Sequence, residues 1–157
     1  MEENKATNEE YRMKFQTIWA NMDPNGHMRH SAYNDYAAQV RVQIFSDYGL
    51  SFNKLMKKGI GPVLFREETL FYKEIRLNEM IEVDFQLLKV RRDGSKFSIL
   101  HKVYNAEGSH AASVTVDGAW LDLIKRKVAA PPQELNSLIL RLPRSIDFDW
   151  IPDKKKL

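Results

Sequence analysis

The chain has 157 residues, 43% of them apolar, with 24 Lys+Arg against 21 Asp+Glu for a formal net charge of +3. That composition fits one globular domain burying about two-thirds of its unfolded surface, and it argues against disorder. Zero cysteines exclude disulfides, thiolate catalysis and sulfur-dependent zinc sites; no run of about 18 uncharged apolar residues could span a membrane, and the small charge excess does not point to nucleic acid.

Residues 1–9 are polar and acidic and lack an apolar stretch. They read as a disordered terminus and not a signal peptide, and a cytoplasmic location follows as the default. Tyr11 to Ile18 alternates Tyr11, Met13 and Phe15 with Arg12, Lys14 and Gln16, the period of a half-buried strand. Trp19 follows, and then the tight turn Asp23-Pro24-Asn25-Gly26-His27. Pro24 fixes its own φ, Gly26 permits a backbone that residues with a Cβ resist, and Asn25-Gly26 is a turn dipeptide. A turn that ends where a helix begins aims free backbone N–H groups at one point, here beside the Asp23 carboxylate. Such a point suits a developing negative charge. An ordinary capped helix has the same outline.

Ser31 is the expected N-cap. Beyond it Tyr33, Tyr36, Ala37, Val40, Ile44 and Tyr48 recur at spacings of three and four, one buried face of a helix of roughly 18 residues that Gly49 ends as its C′ residue. Ser51 to Lys58 adds a short helical turn. Strands follow: Val63 to Ile75, rich in β-branched and aromatic residues, and Glu79 to Arg91, where Ile81, Val83, Phe85 and Leu87 alternate with polar residues. The turn Arg92-Asp93-Gly94 leads into a strand from Lys96 to Tyr104. Asn105-Ala106-Glu107-Gly108 leads into another from His110 to Leu123, with Val114, Val116, Gly118 and Trp120 on one face. Pro131-Pro132 breaks the chain before a short helix from Gln133 to Leu140. Arg141 to Leu157 has no clear period and is expected to wrap the surface.

The order is strand, long helix, then four antiparallel strands. One helix can cover one face of such a sheet, so the expected architecture is α+β, a curved antiparallel sheet wrapped around one long central helix. The domain is expected over residues 10–140, with 141–157 as an extension. The long strands from Val63 onward leave an edge suited to pairing with another copy.

Asp23-Pro24-Asn25-Gly26-His27-Met28, followed by Tyr33 and Tyr36 on a helix, resembles the motif of hotdog-fold acyl-CoA thioesterases of the 4-hydroxybenzoyl-CoA thioesterase type. The element order is the hotdog order over about residues 11 to 135. The resemblance implies hydrolysis of an acyl-CoA or acyl-carrier thioester without a cofactor. Asp23 then acts as nucleophile or as general base on water, Gly26 shapes the turn, and a backbone N–H at about His30 polarises the carbonyl. The resemblance also implies a homodimer or homotetramer, with the pantetheine arm between subunits and the nucleotide phosphates on surface cations. Lys125, Arg126 and Lys127 are the candidates for that role. Neither nucleic acid nor membrane is an implied partner. Two positions depart from the family pattern. Arg29-His30 stands where many relatives carry two Asn, and Gln39 where many carry an acid.

Each residue also has a plainer reading. Asp23 before Pro commonly caps its own turn. Against that, thioester hydrolysis needs only a base or nucleophile plus an oxyanion site, because a thiolate leaves readily. His27 and His30 are too few for zinc; His27 is expected to shape the site, and His101 and His110, on strands, to be structural. Tyr33 and Tyr36 belong to the buried helix face, with hydroxyls toward the pocket rim. Trp19 lines an acyl pocket or covers the sheet. Glu67 and Glu68 form a second carboxylate pair, and Asp35 and Asp47 on the helix are expected to be solvated. Two other functions compete: a hydratase of the same fold, whose Asp–His spacing this chain fits poorly, and a non-catalytic module that binds acyl thioesters.

Overall fold

The computed structural model describes residues 9–153; the expected disorder of residues 1–8 lies outside the described residues. Six apolar-alternating residues form β1 (Tyr11–Gln16), which pairs antiparallel with the first half of β3 (Met80–Arg91). Next to β3 lies β4 (Lys96–Tyr104), then β5 (His110–Asp122), then β2 (Ile60–Phe71), all antiparallel, so the spatial order is β1-β3-β4-β5-β2. Short β6 (Lys127–Val128) adds to β5.

The central helix α1 (Ala32–Asp47) buries Ala32, Tyr33, Ala37, Val40 and Ile44, the stripe that its three-and-four spacing predicts. Facing it are Ile81, Val83, Phe85 and Leu87 of β3 and Val114, Val116 and Trp120 of β5, all buried. Its C-terminus closes as a Schellman motif. The Leu50 N–H donates to the Phe45 carbonyl at 2.8 Å and the Gly49 N–H to that of Ser46 at 2.9 Å, while Gly49 takes φ +93°. This is the hotdog architecture, a sheet around one helix. Helices α2 (Phe52–Lys57) and α3 (Gln133–Ile139) pack at the margins.

Four details differ from expectation. Ser31 does not cap α1 with its side chain; its backbone is already helical at φ −77° and ψ −19°, and its hydroxyl accepts from the Arg29 guanidinium. Ser51 does cap α2, accepting from the Lys54 N–H at 3.4 Å. β2 starts at Ile60 and runs through Pro62, which an edge strand tolerates, and it ends at Phe71 instead of Ile75. The segment after 140 does not simply wrap the surface: β7 (Arg144–Ile151) adds in parallel to the second half of β3. Ile146, Phe148 and Trp150 alternate there with Ser145, Asp147 and Asp149; Ile146 is exposed, and the two rings are half-buried against the edge of the core with guanidinium groups over them. The Arg144 guanidinium lies 4.3 Å from the Phe148 ring and that of Arg92 lies 4.2 Å from Trp150.

Along β2 the side chains of Val63, Leu64, Phe65, Leu70 and Phe71 are all exposed, Phe65 by 63%. No helix among the described residues is long and apolar enough to cross a membrane.

Candidate active site

The turn before α1 is built around Asp23. Its N–H donates to the His27 carbonyl at 2.8 Å, and its own carbonyl accepts from the Gly26 N–H at 3.1 Å. Gly26 sits at φ +79°, where a side chain is strained. One carboxylate oxygen, Oδ1, accepts from the N–H groups of Asn25 at 2.9 Å and His27 at 3.2 Å. The turn-capping role is therefore real, and it uses half of the carboxylate. Oδ2 has no hydrogen-bond partner among the described residues.

Several long-range contacts fix this turn on the fold. The Met28 N–H donates to the carbonyl of Ile75 at 2.7 Å and the Arg29 N–H to that of Asn21 at 2.7 Å. The Tyr36 hydroxyl, one helical turn into α1, donates to the Asn21 side chain. The Arg29 guanidinium ties the Ala20 carbonyl (3.3 Å), Ser31 and Asp35 (3.4 Å) together. The Ala32 N–H donates back to the Arg29 carbonyl at 3.0 Å. The backbone N–H groups of His30 and Ser31 find no acceptor among the described residues. They are the free donors that a helix start leaves.

His27 and Tyr33 line one open depression of about 300 Å³, together with Met28, Phe71 and Tyr72. The Tyr33 ring is buried and meets Phe71 edge-on at 5.1 Å. Burial, with the nearby carboxylates of Glu79 and Asp23, pushes its hydroxyl up to about 12, so it stays a neutral donor. The His27 imidazole lies 3.0 Å from the Glu74 carboxylate. Glu74, on the loop after β2, was not legible as its partner because the pairing depends on how that loop returns past the turn. Among the described residues, no three or more His, Cys, Asp and Glu side chains cluster as a metal site would require.

Other expected site residues lie elsewhere. Trp19 neither covers the sheet nor lines this depression; it is 79% exposed on a short 3₁₀ turn, Trp19–Asn21. Lys125 and Arg126 are exposed on the β5–β6 turn. That turn follows Asp122, which registers with Ile60, whereas the Asp23 turn and Tyr33 sit at the Phe71 end of β2. Within one chain the cations and the turn are at opposite ends of the sheet. Glu68 is occupied by Arg66 at 2.7 Å. Asp35 pairs with Arg29. Asp47 is not merely solvated: it accepts from the Tyr11 hydroxyl at 2.5 Å and from Gln43 at 2.8 Å, and those bonds hold its carboxyl below the usual range. Gln39 is exposed.

Comparison with known proteins bears on the family and the fold. The family model of the thioesterase-like superfamily matches residues 17–139. The acyl-CoA thioester hydrolase YbgC of Escherichia coli is 21% identical over 125 residues, covering 80% of this chain and 92% of its own. Among solved structures, the protein SAV2348 of Staphylococcus aureus in complex with CoA superposes with a TM-score of 0.80 at 16% identity, over 94% of this chain and 90% of that one. The DHNA-CoA thioesterase of the same organism superposes with 0.72 at 18% identity, over 77% and 80%. The turn at Asp23 and the whole of α1 fall inside the matched span, and the chain belongs to the thioesterase-like superfamily as a thioester hydrolase of the hotdog fold.

Proposed function

We propose that this protein hydrolyses an acyl-CoA thioester, with Asp23 as general base and the backbone N–H groups at the start of α1 as the oxyanion site. One observation carries the reading: a carboxylate oxygen without a partner stands in the turn that delivers two unpaired N–H groups. Asp23 Oδ2 takes a proton from water as the water oxygen bonds to the thioester carbon. The charge that grows on the carbonyl oxygen falls at the His30 and Ser31 N–H groups, pre-aimed by the helix start and aided by its dipole. Collapse breaks the C–S bond, and the thiolate leaves as CoA. His27 and Tyr33 shape the pocket wall. The names of YbgC and of the CoA-bound structure support the choice of CoA as carrier.

The exposed apolar β2 supports a homodimer joined edge to edge. Two β2 strands paired antiparallel about a twofold set the Ile60 end of one against the Phe71 end of the other. Lys125 and Arg126 of the partner subunit then approach the Asp23 turn, where they meet the CoA phosphates. In this reading the site is completed by two chains.

Free-thiol release from short, long and aromatic acyl-CoAs tests the reaction. Turnover of at least one member supports it. Binding of acyl-CoA with no thiol released from any member contradicts it and favours a binding module.

A further inference from the structure

A second cavity lies away from the Asp23 turn, beside the middle of α1. It encloses about 160 Å³, close to the ~150 Å³ of an engineered cavity that takes up benzene. Its walls come from α1 (Phe45), α2 (Phe52, Leu55), β4 (Phe97) and β5 (Trp120). Of the twelve residues lining it, only Arg41 and Trp120 carry polar side chains. Both are donors that cannot accept a hydrogen bond.

Neither donor is satisfied by an anion. Arg41, part-buried, has one hydrogen-bond partner among the described residues, Nε2 of His101 at 3.1 Å. His101 is fully buried, and its Nδ1–H donates to the Asp84 carbonyl at 2.7 Å. Burial and then the charge of Arg41 lower its pKa to about 3; it is therefore neutral and offers Arg41 a lone pair but no charge. The carboxylate of Glu67, exposed on β2, acts on Arg41 only at a distance, and no ion pair forms between them. The Trp120 indole N–H is buried, with no acceptor among the described residues and no surface open to the cavity, so Trp120 contributes only apolar wall. A part-buried guanidinium without a counter-ion, set in an apolar wall, favours a ligand that carries negative charge. The cavity is thus apolar in body and short of one acceptor that carries negative charge.

We propose that this cavity binds the carboxylate of a small hydrophobic acid, with Arg41 supplying the charge and the N–H donors, and Phe45, Phe52, Phe97 and Trp120 the apolar wall. The carboxylate has two possible sources. One is a free acid. The other is the far end of a dicarboxylic acyl chain whose thioester lies at the start of α1, about 13 Å along the helix from Arg41 at 1.5 Å per residue. The second source rests on the proposed thioesterase reaction; the first does not.

The test has two arms. Calorimetric titration with benzoate and with its neutral isostere benzamide asks whether a free acid binds. The expected result is about tenfold preference for benzoate, lost in Arg41→Met, with both ligands weakened by Ala38→Leu, which fills the cavity and leaves the cation. The hydrolysis arm compares suberoyl-CoA with octanoyl-CoA. A preference for suberoyl-CoA that Arg41→Met abolishes identifies the acyl end as the source, whereas a benzoate preference alone identifies a free acid. The wild-type comparisons need no variant, so a poorly folded Arg41→Met does not rescue the idea. Equal binding of benzoate and benzamide together with equal turnover of the two thioesters overturns it. If neither thioester is hydrolysed, the thioesterase reading fails separately, and the benzoate arm still decides for or against the cavity.

Discussion

The two halves of α1 meet different surroundings. At its start the helix is fixed by polar bonds between loops: Asn21, Arg29, Tyr36 and the Asp23 turn. It leaves backbone donors unpaired and His30 exposed. Farther along, Val40 and Ile44 are fully buried, and Phe45 meets Trp120 edge-on at 5.8 Å. If the proposed reaction holds, one helix separates the packing core from the reacting groups along its length. Substitutions in the buried half are expected to act on folding, and those at the start on turnover.

The largest expected effect on stability comes from Trp120→Ala. Trp120 is 1% exposed and touches both Phe45 and Phe97, so its loss should cost about 3–5 kcal/mol. Denaturant midpoints measure it. A cost below about 1 kcal/mol would place the packing core elsewhere.

Acid is the next probe of the buried half. Burial holds the folded-state pKa of His101 near 3, below its ordinary 6.5. The neutral ring therefore favours the fold fully above pH 6.5, and that advantage drains away as pH falls toward 3. The slope is about 1.4 kcal/mol per unit, or about 2 kcal/mol by pH 5. Asp84, raised by burial, works in the opposite sense and only in the carboxylate range. Unfolding curves between pH 7 and 5 should show the loss in the wild type and a flat response in His101→Gln. A flat wild-type curve would mean that His101 is not held neutral by burial.

Smaller effects are expected at the start of the helix. Tyr36→Phe removes the bond to Asn21 and should cost about 1 kcal/mol; Gly26→Ala should cost a similar amount through its positive φ, with open space around the added methyl. Both should lower turnover more than stability, since each disturbs the turn that aims Asp23. Equal losses of stability and activity would erase the contrast between the two halves.

Much of this contrast was legible in the sequence. The Tyr33-Ala37-Val40-Ile44 stripe, the hairpin turns and the Asp-Pro-Asn-Gly turn each rest on local chemistry that neighbouring residues decide. What escaped depends on contacts distant in the chain. Trp19 looked like pocket material because it is a large aromatic before a turn, yet a 3₁₀ turn points it outward. Lys125 and Arg126 were grouped with the site by charge; within one chain strand register sets them at the opposite end of the sheet, so only a partner subunit could bring them to it. Glu74 reaches His27 only because the loop after β2 comes back past the turn. β7 was missed because its aromatic rings stack on guanidinium groups and leave the usual strand pattern half exposed. Arg41 did carry a signal: it stands four residues after Ala37 and three before Ile44, on the edge of the buried stripe, where a cation is unusual.

The central claim is that Asp23, in a turn already complete without its second oxygen, performs the proton transfer. Steady-state hydrolysis of the best acyl-CoA by Asp23→Asn tests it most directly, because the amide keeps an oxygen for the N–H groups of Asn25 and His27 while losing the base. The account predicts that kcat falls by about 10²–10⁴ with KM and the unfolding midpoint nearly unchanged. A kcat within a few-fold of wild type, in a protein that still folds and binds acyl-CoA, would contradict it.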